Sequence, residues 1–167
     1  RESRTGCPVF LSKFIVIGMI FMKTELSNAL NQYLANVAVE YVKFHNLHWN
    51  VVGPSFKQVH EYLETLYDGL ADILDTVAEL LKMHDVQPLA SMKDYLAAAT
   101  ILELDSAELS TSEALGIARG DLLVLKAQAE SIRSAANADD VYDVVAAMED
   151  QLSDYNKTLW FLQAMGK

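Results

Sequence analysis

Four side chains that bind metal ions well, His60, Glu64, Asp75 and Glu79, lie along one stretch of this chain in mirror symmetry about the Gly69–Leu70 peptide. On an α-helix, at about 100° per residue, all four fall within roughly 100° of arc and share one face. They do not share one place. A rise of about 1.5 Å per residue separates Glu64 from Asp75 by roughly 16 Å, too far for a single metal centre within one chain. Two copies of the helix crossing antiparallel at Asp68-Gly69-Leu70-Ala71 would bring His60 to the partner's Glu79 and Glu64 to the partner's Asp75. The small Gly69 and Ala71 suit a close approach at that crossing. The expectation is therefore two equivalent metal sites shared across a dimer, each needing one more ligand near its histidine end, which His48 can supply. Imidazole with carboxylate suits Fe, Mn or Zn, and a chain with one cysteine offers no thiolate cluster. Taken singly, each acid is most often a solvated surface group, so the pattern carries the argument.

Such ligands need long rigid helices. Leu26, Leu30, Tyr33, Leu34, Val37, Tyr41, Phe44 and His48 recur at helical spacing and predict a first helix. Gly53-Pro54 ends it, and Ser55 is the expected N-cap of a second helix over residues 56–84. Val59, Leu63, Leu66, Leu70, Leu74, Val77 and Leu81 form its core stripe. Gln87-Pro88 breaks the chain, and a short helix follows, capped by Ser91 with Asp94. Residues 102–109 read as loop. Ser110-Thr-Ser-Glu opens a third long helix over 112–136, Asn137-Ala138-Asp139 makes a turn, and a fourth helix spans 140–165. Short first and last connections imply antiparallel neighbours, whereas the long middle one permits a crossover. The fold class is all-α, a ferritin-like four-helix bundle with a short extra helix in the long connection between helices two and three. Di-iron bundles of that kind carry Glu-x-x-His on two helices. None of the four histidines here has Glu three residues before it, which leaves the interface site as the place for metal.

With 167 residues the chain is one domain by length, and its formal net charge of −10 argues against a simple nucleic-acid surface. Residues 1–21 differ from the rest: Arg1, Arg4 and Lys13 stand against Glu2 alone, and Val9–Phe21 is apolar but too short to span a bilayer. That segment reads as an extension foreign to the domain or as an amphipathic arm, with the domain over 22–167. No membrane association is expected, and the lone cysteine fits a reducing cytoplasm.

The block His48-Trp49-Asn50-Val-Val-Gly53-Pro54, the step from His48 to His60, and the Asp75/Glu79 pair closely resemble the Dps family, the miniferritins named as DNA-binding proteins from starved cells. The resemblance covers about Met22–Gly166. It implies a homododecamer built on two-fold dimers, in which Fe(II) is oxidised at inter-subunit ferroxidase centres, preferably by hydrogen peroxide, and stored as ferric mineral. The implied role is iron storage and detoxification under oxidative stress, protecting DNA. Carried over residue by residue, the catalytic metal ligands are His48, His60 and Glu64 of one subunit with Asp75 and Glu79 of its neighbour; Zn or Mn are substitutes for iron. Glu64 departs from the family's usual Asp by one methylene. Trp49 resembles the aromatic residue kept near the centre as an electron donor. Asp139, Asp140 and Asp143 are candidates for an acidic iron-uptake pore, their simpler roles being N-capping and interaction with the helix dipole. Direct DNA binding is not supported by the acidic core, and a cytoplasmic, nucleoid-associated place is what the resemblance allows. The competing readings are a DNA-compacting stress protein with a degenerate site and a divalent-metal cage without redox turnover.

Overall fold

The computed structural model describes residues 22–167; the extension expected at residues 1–21 lies outside them. Helix α1 (Thr24–Asn50) runs into a two-residue strand β1 (Val51–Val52), and α2 (Phe56–Met83) returns alongside it. A long connection carries the short α3 (Met92–Ala98) and ends in β2 (Leu109–Ser110), followed by α4 (Thr111–Ala138) and α5 (Tyr142–Met165). This is the expected four-helix bundle, with the extra helix where the sequence placed it.

The apolar stripes explain the packing. Leu26, Leu30, Tyr33, Leu34, Val37, Phe44 and His48 of α1 are all buried, Val59, Leu63, Leu70, Val77 and Leu81 of α2 face them, and Leu125, Ile132, Met148 and Leu162 close the core from α4 and α5. Each of the Leu, Val, Ile, Phe and Met side chains among them contributes about 1.5–3 kcal/mol by leaving water. Leu66 and Leu74 are only half-buried. A groove of about 620 Å³ opens between α2 and α5 near Leu66, Gly69 and Ile73, floored by Phe44 and Leu122.

The crossover needs its own anchoring. Strand β1 pairs with β2 in parallel, Val51 opposite Leu109 and Val52 opposite Ser110. The end of α1 therefore lies beside the start of α4, α2 and α4 run the same way, and the connection must travel the length of the bundle. Three asparagines on α1 hold it down. Asn31 Oδ1 accepts from the Leu89 amide at 2.8 Å, and Asn46 Nδ2 donates to the Leu104 carbonyl at 2.8 Å. Between them the fully buried Asn36 accepts from the amides of Thr100 (2.7 Å) and Ile101 (2.9 Å) and donates to Thr100 Oγ1 (3.0 Å) and Gln128 Oε1 (2.8 Å).

Several helix ends differ from the sequence reading. Ser110 does cap α4 in a reciprocal box with Glu113, and Ser91 caps α3. Ser55, the expected N-cap of α2, precedes that helix but makes no side-chain cap bond, because its backbone is left-handed (φ 61°) after the Gly53 turn (φ 109°). The turn expected at residues 137–139 falls at 139–140. Helix α4 continues to Ala138, Asp140 takes the left-handed position (φ 57°), and the Val141 amide reaches back to Ala136 O at 2.9 Å. That is a Schellman closure. Helix α2 ends the same way, with Asp85 at φ 58° and Val86 N bonded to Leu81 O.

One buried acid stands apart. Glu40 is fully enclosed and neither carboxylate oxygen finds a hydrogen-bond partner among the described residues, while its neighbour Lys43 pairs with Asp121 at 2.6 Å. Burial, then the negative Asp121, push the Glu40 carboxyl well above the ordinary range, with Lys43 opposing. A raised folded pKa means stability fully present below the unfolded value near 4.5 and lost as pH climbs toward the folded one. Glu40→Gln keeps the shape without the proton, so its advantage over wild type should widen above that pH by up to about 1.4 kcal/mol per unit. Urea midpoints taken across pH test this; parallel profiles for the two proteins would contradict it.

Candidate metal centre

The turn between α1 and α2 creates the histidine end of the site. With β1 pinned to β2, the last turn of α1 lies against the first turns of α2, and the His48 and His60 rings stack at 3.7 Å and 21°. Their hydrogen bonds are reciprocal: His48 Nδ1 to the His60 carbonyl and His60 Nδ1 to the His48 carbonyl, each 2.8 Å. A carbonyl only accepts, so each Nδ1 carries the hydrogen, and Nε2 is the nitrogen each ring has left for a ligand. Backbone bonds of this kind orient metal-binding imidazoles. His48 is buried, His60 half-buried, and Glu64, one turn on, is exposed.

Asp75 and Glu79 are exposed further along the same helix. Because α2 is continuous from Phe56 to Met83, the separation of roughly 16 Å between Glu64 and Asp75 applies. Accordingly, no three His, Cys, Asp or Glu side chains gather into one cluster among the described residues. The chain thus brings together His48 and His60, with Glu64 one turn on, and holds Asp75 and Glu79 apart from them. Gly69, at the midpoint, is exposed, and a Cβ there would meet nothing of its own chain within 4 Å. The bundle itself does not require glycine at that position.

An aromatic cluster surrounds the histidine end. Tyr67 meets His48 edge-on (5.4 Å, 87°) and stacks flat on His45 (3.7 Å, 21°). Trp49, 69% exposed, has its ring 5.2 Å from that of His45. Sequence reasoning passed over Tyr67, although it follows Glu64 by one turn on the ligand-bearing face. Partial burial and the negative Glu64 and Asp68 hold the Tyr67 phenol above its ordinary value, so it remains a hydrogen-bond donor.

The three pore candidates gather at the start of α5, and all three are engaged within the chain. Asp139 pairs with Lys23, and Asp143 accepts from His84 Nε2 at 2.9 Å and from the Val144 amide. Asp140 accepts from the Tyr142 hydroxyl at 3.1 Å. None is the N-cap of α5; Val141 holds that position without a side-chain bond. Asp143 does lie in the first turn, where the dipole favours it.

Comparison with known proteins identifies the family. The ferritin-like domain model matches residues 27–166. The DNA protection during starvation protein of Brevibacillus brevis is 35% identical, over 86% of this chain and 98% of its own length. This chain belongs to the Dps family. Antigen TpF1 of Treponema pallidum is 36% identical over 81% of this chain and 76% of its own, and its crystal structure superposes with a TM-score of 0.85, covering 89% and 94%. The Dps protein of Vibrio cholerae O1, described as a member of a broad superfamily of ferritin-like diiron-carboxylate proteins, superposes at 0.82 with 29% identity, covering 86% of this chain and 89% of that one. Among the described residues of this Dps-family chain, no helix is long and apolar enough to cross a membrane.

Proposed function

We propose that this protein is an iron-storage and detoxification protein whose ferroxidase centres form between subunits. His48, His60 and Glu64 of one subunit face Asp75 and Glu79 of the next, and Fe(II) is the substrate. The observation that carries the reading is the reciprocal His48–His60 lock, which leaves two Nε2 lone pairs beside an exposed carboxylate. The Asp75/Glu79 pair on the same continuous helix is out of reach within the chain. An antiparallel two-fold pairing of α2 about Gly69 completes two sites at once, and the open space at Gly69 suits that approach. The Brevibacillus brevis relative carries starvation-time DNA protection in its name, and the Vibrio cholerae one is assigned to the diiron-carboxylates. The first supports a DNA-protecting stress role and the second supports iron chemistry.

The chemistry follows from the donors. Three carboxylates and two neutral imidazoles stabilise Fe(III) more than Fe(II), which favours electron loss at the site. Two Fe(II) ions supply the two electrons that reduce one hydrogen peroxide to water, so no hydroxyl radical is released. Trp49 offers a further electron when only one Fe(II) is present. Ferric product then hydrolyses and mineralises inside a closed dodecamer. Iron uptake past Asp139, Asp140 and Asp143 would have to compete with Lys23 and His84 for two of those carboxylates. The net charge of −10 opposes direct contact with DNA phosphate, so protection of DNA works through removal of iron and peroxide.

Anaerobic addition of Fe(II) followed by peroxide tests this reading. The expected result is two Fe(III) formed per peroxide, no spin-trapped hydroxyl radical, and a light-scattering mass of a dodecamer. A stable monomer, or Fe(II) oxidised no faster than in buffer, would overturn it.

A further inference from the structure

Glu64 is an exposed side chain with one more rotatable bond than Asp, so ordering it onto a metal costs side-chain entropy. Something must select its rotamer, and Tyr67 is built to do so. The Tyr67 ring cannot swing freely. It lies flat on His45 at 3.7 Å, sits edge-on to His48 at 5.4 Å and meets Tyr41 at 6.3 Å. His45 is itself fixed, with Nδ1 bonded to the Tyr41 carbonyl at 2.8 Å and its ring 4.7 Å from the Tyr41 ring. Helical spacing sets Glu64 one turn before Tyr67 on the same face of α2, the i, i+3 relation in which two side chains are neighbours.

We propose that Tyr67 is a positioning residue for metal capture: its immobilised hydroxyl donates to one oxygen of Glu64 and turns the other toward the Nε2 atoms of His48 and His60. The inference rests on the metal-site reading above and assigns Glu64 a specific use of its extra methylene, which is to reach the metal and the tyrosine together. An aspartate at this position would serve only one of them. Tyr67 also buttresses the His48 ring, so a single residue sets the direction of two ligands.

The test is a double-mutant cycle on the assembled protein, read by calorimetric binding of Zn²⁺, which removes turnover from the measurement. Tyr67→Phe keeps the ring and its stacking and is expected to weaken Zn²⁺ about tenfold, the usual loss for a residue that orients a ligand. The same substitution in a Glu64→Asp background should change affinity by less than about twofold, because the shorter carboxylate does not reach the hydroxyl. The Co²⁺-loaded protein should show an altered visible spectrum in Tyr67→Phe, with assembly mass unchanged. Equal losses in both backgrounds would mean that the Tyr67 hydroxyl acts without Glu64, and no loss in either would remove it from the site; both overturn the inference while leaving the metal site standing. Absence of stoichiometric Zn²⁺ binding by the wild type would instead overturn the site itself, and the inference with it.

Discussion

Two variants that are each inactive should regain roughly a quarter of the wild-type ferroxidase sites when they are mixed under refolding conditions. One carries His60→Ala and Glu64→Ala, the other Asp75→Ala and Glu79→Ala. In either homodimer both sites are half-built. In the mixed dimer one site collects all four substitutions, while the other takes His60 and Glu64 from one chain and Asp75 and Glu79 from its partner. Random pairing makes about half the dimers mixed, each with one intact site of two, provided the ligands act as a unit.

The design is safe for the fold, because Glu64, Asp75 and Glu79 are exposed and His60 is only half-buried. It is also decisive between geometries. A site confined to one subunit predicts no recovery at any mixing ratio. Hybrids confirmed by mass spectrometry that oxidise iron only at the parental rate would end the shared-interface mechanism.

How far the sequence reveals this molecule depends on whether the partner of a residue is local. Core stripes are local, since period 3.6 repeats in Leu26, Leu30, Tyr33 and Leu34 announce their own buried face. The spacing of the proposed ligands was legible for a related reason: α2 is continuous, so His60, Glu64, Asp75 and Glu79 keep their relative places whatever packs around them. Helix ends were less legible. Ser55 has the chemistry of a cap, but the positive φ that follows Gly53 takes its hydroxyl out of position. Asn137 looks like the turn residue, yet Asp140 takes the left-handed site and lets α4 run on. Polar groups inside the bundle were not legible at all. Glu40 answers to Asp121, Tyr33 to Gln151 and Tyr155, and Asn36 to Thr100 and Gln128, all far away in the chain. In a helical pattern Asn36 and Glu40 look like interruptions of an apolar face. Only the fold shows that Asn36 is what the crossover hangs on.

Asn36→Leu should accordingly be among the most damaging single changes outside the metal site. It leaves the Thr100 and Ile101 amides without an acceptor and Gln128 Oε1 without a donor, next to a core in which Ile101 is 6% exposed. An orphaned buried polar group costs about 1–3 kcal/mol, so the loss should be about 3 kcal/mol or more. Thr100→Val removes one side-chain acceptor of the same network and should cost about 1 kcal/mol. Urea denaturation at equal protein concentration measures both, the fixed concentration being needed because assembly adds to apparent stability. Hydrogen exchange locates the effect: the Thr100 and Ile101 amides should lose protection in Asn36→Leu before the α1–α2 helices do. If that variant unfolds at the wild-type midpoint with both amides still protected, the crossover is held by its apolar contacts, and the asparagine row on α1 is not what fixes the direction of α4.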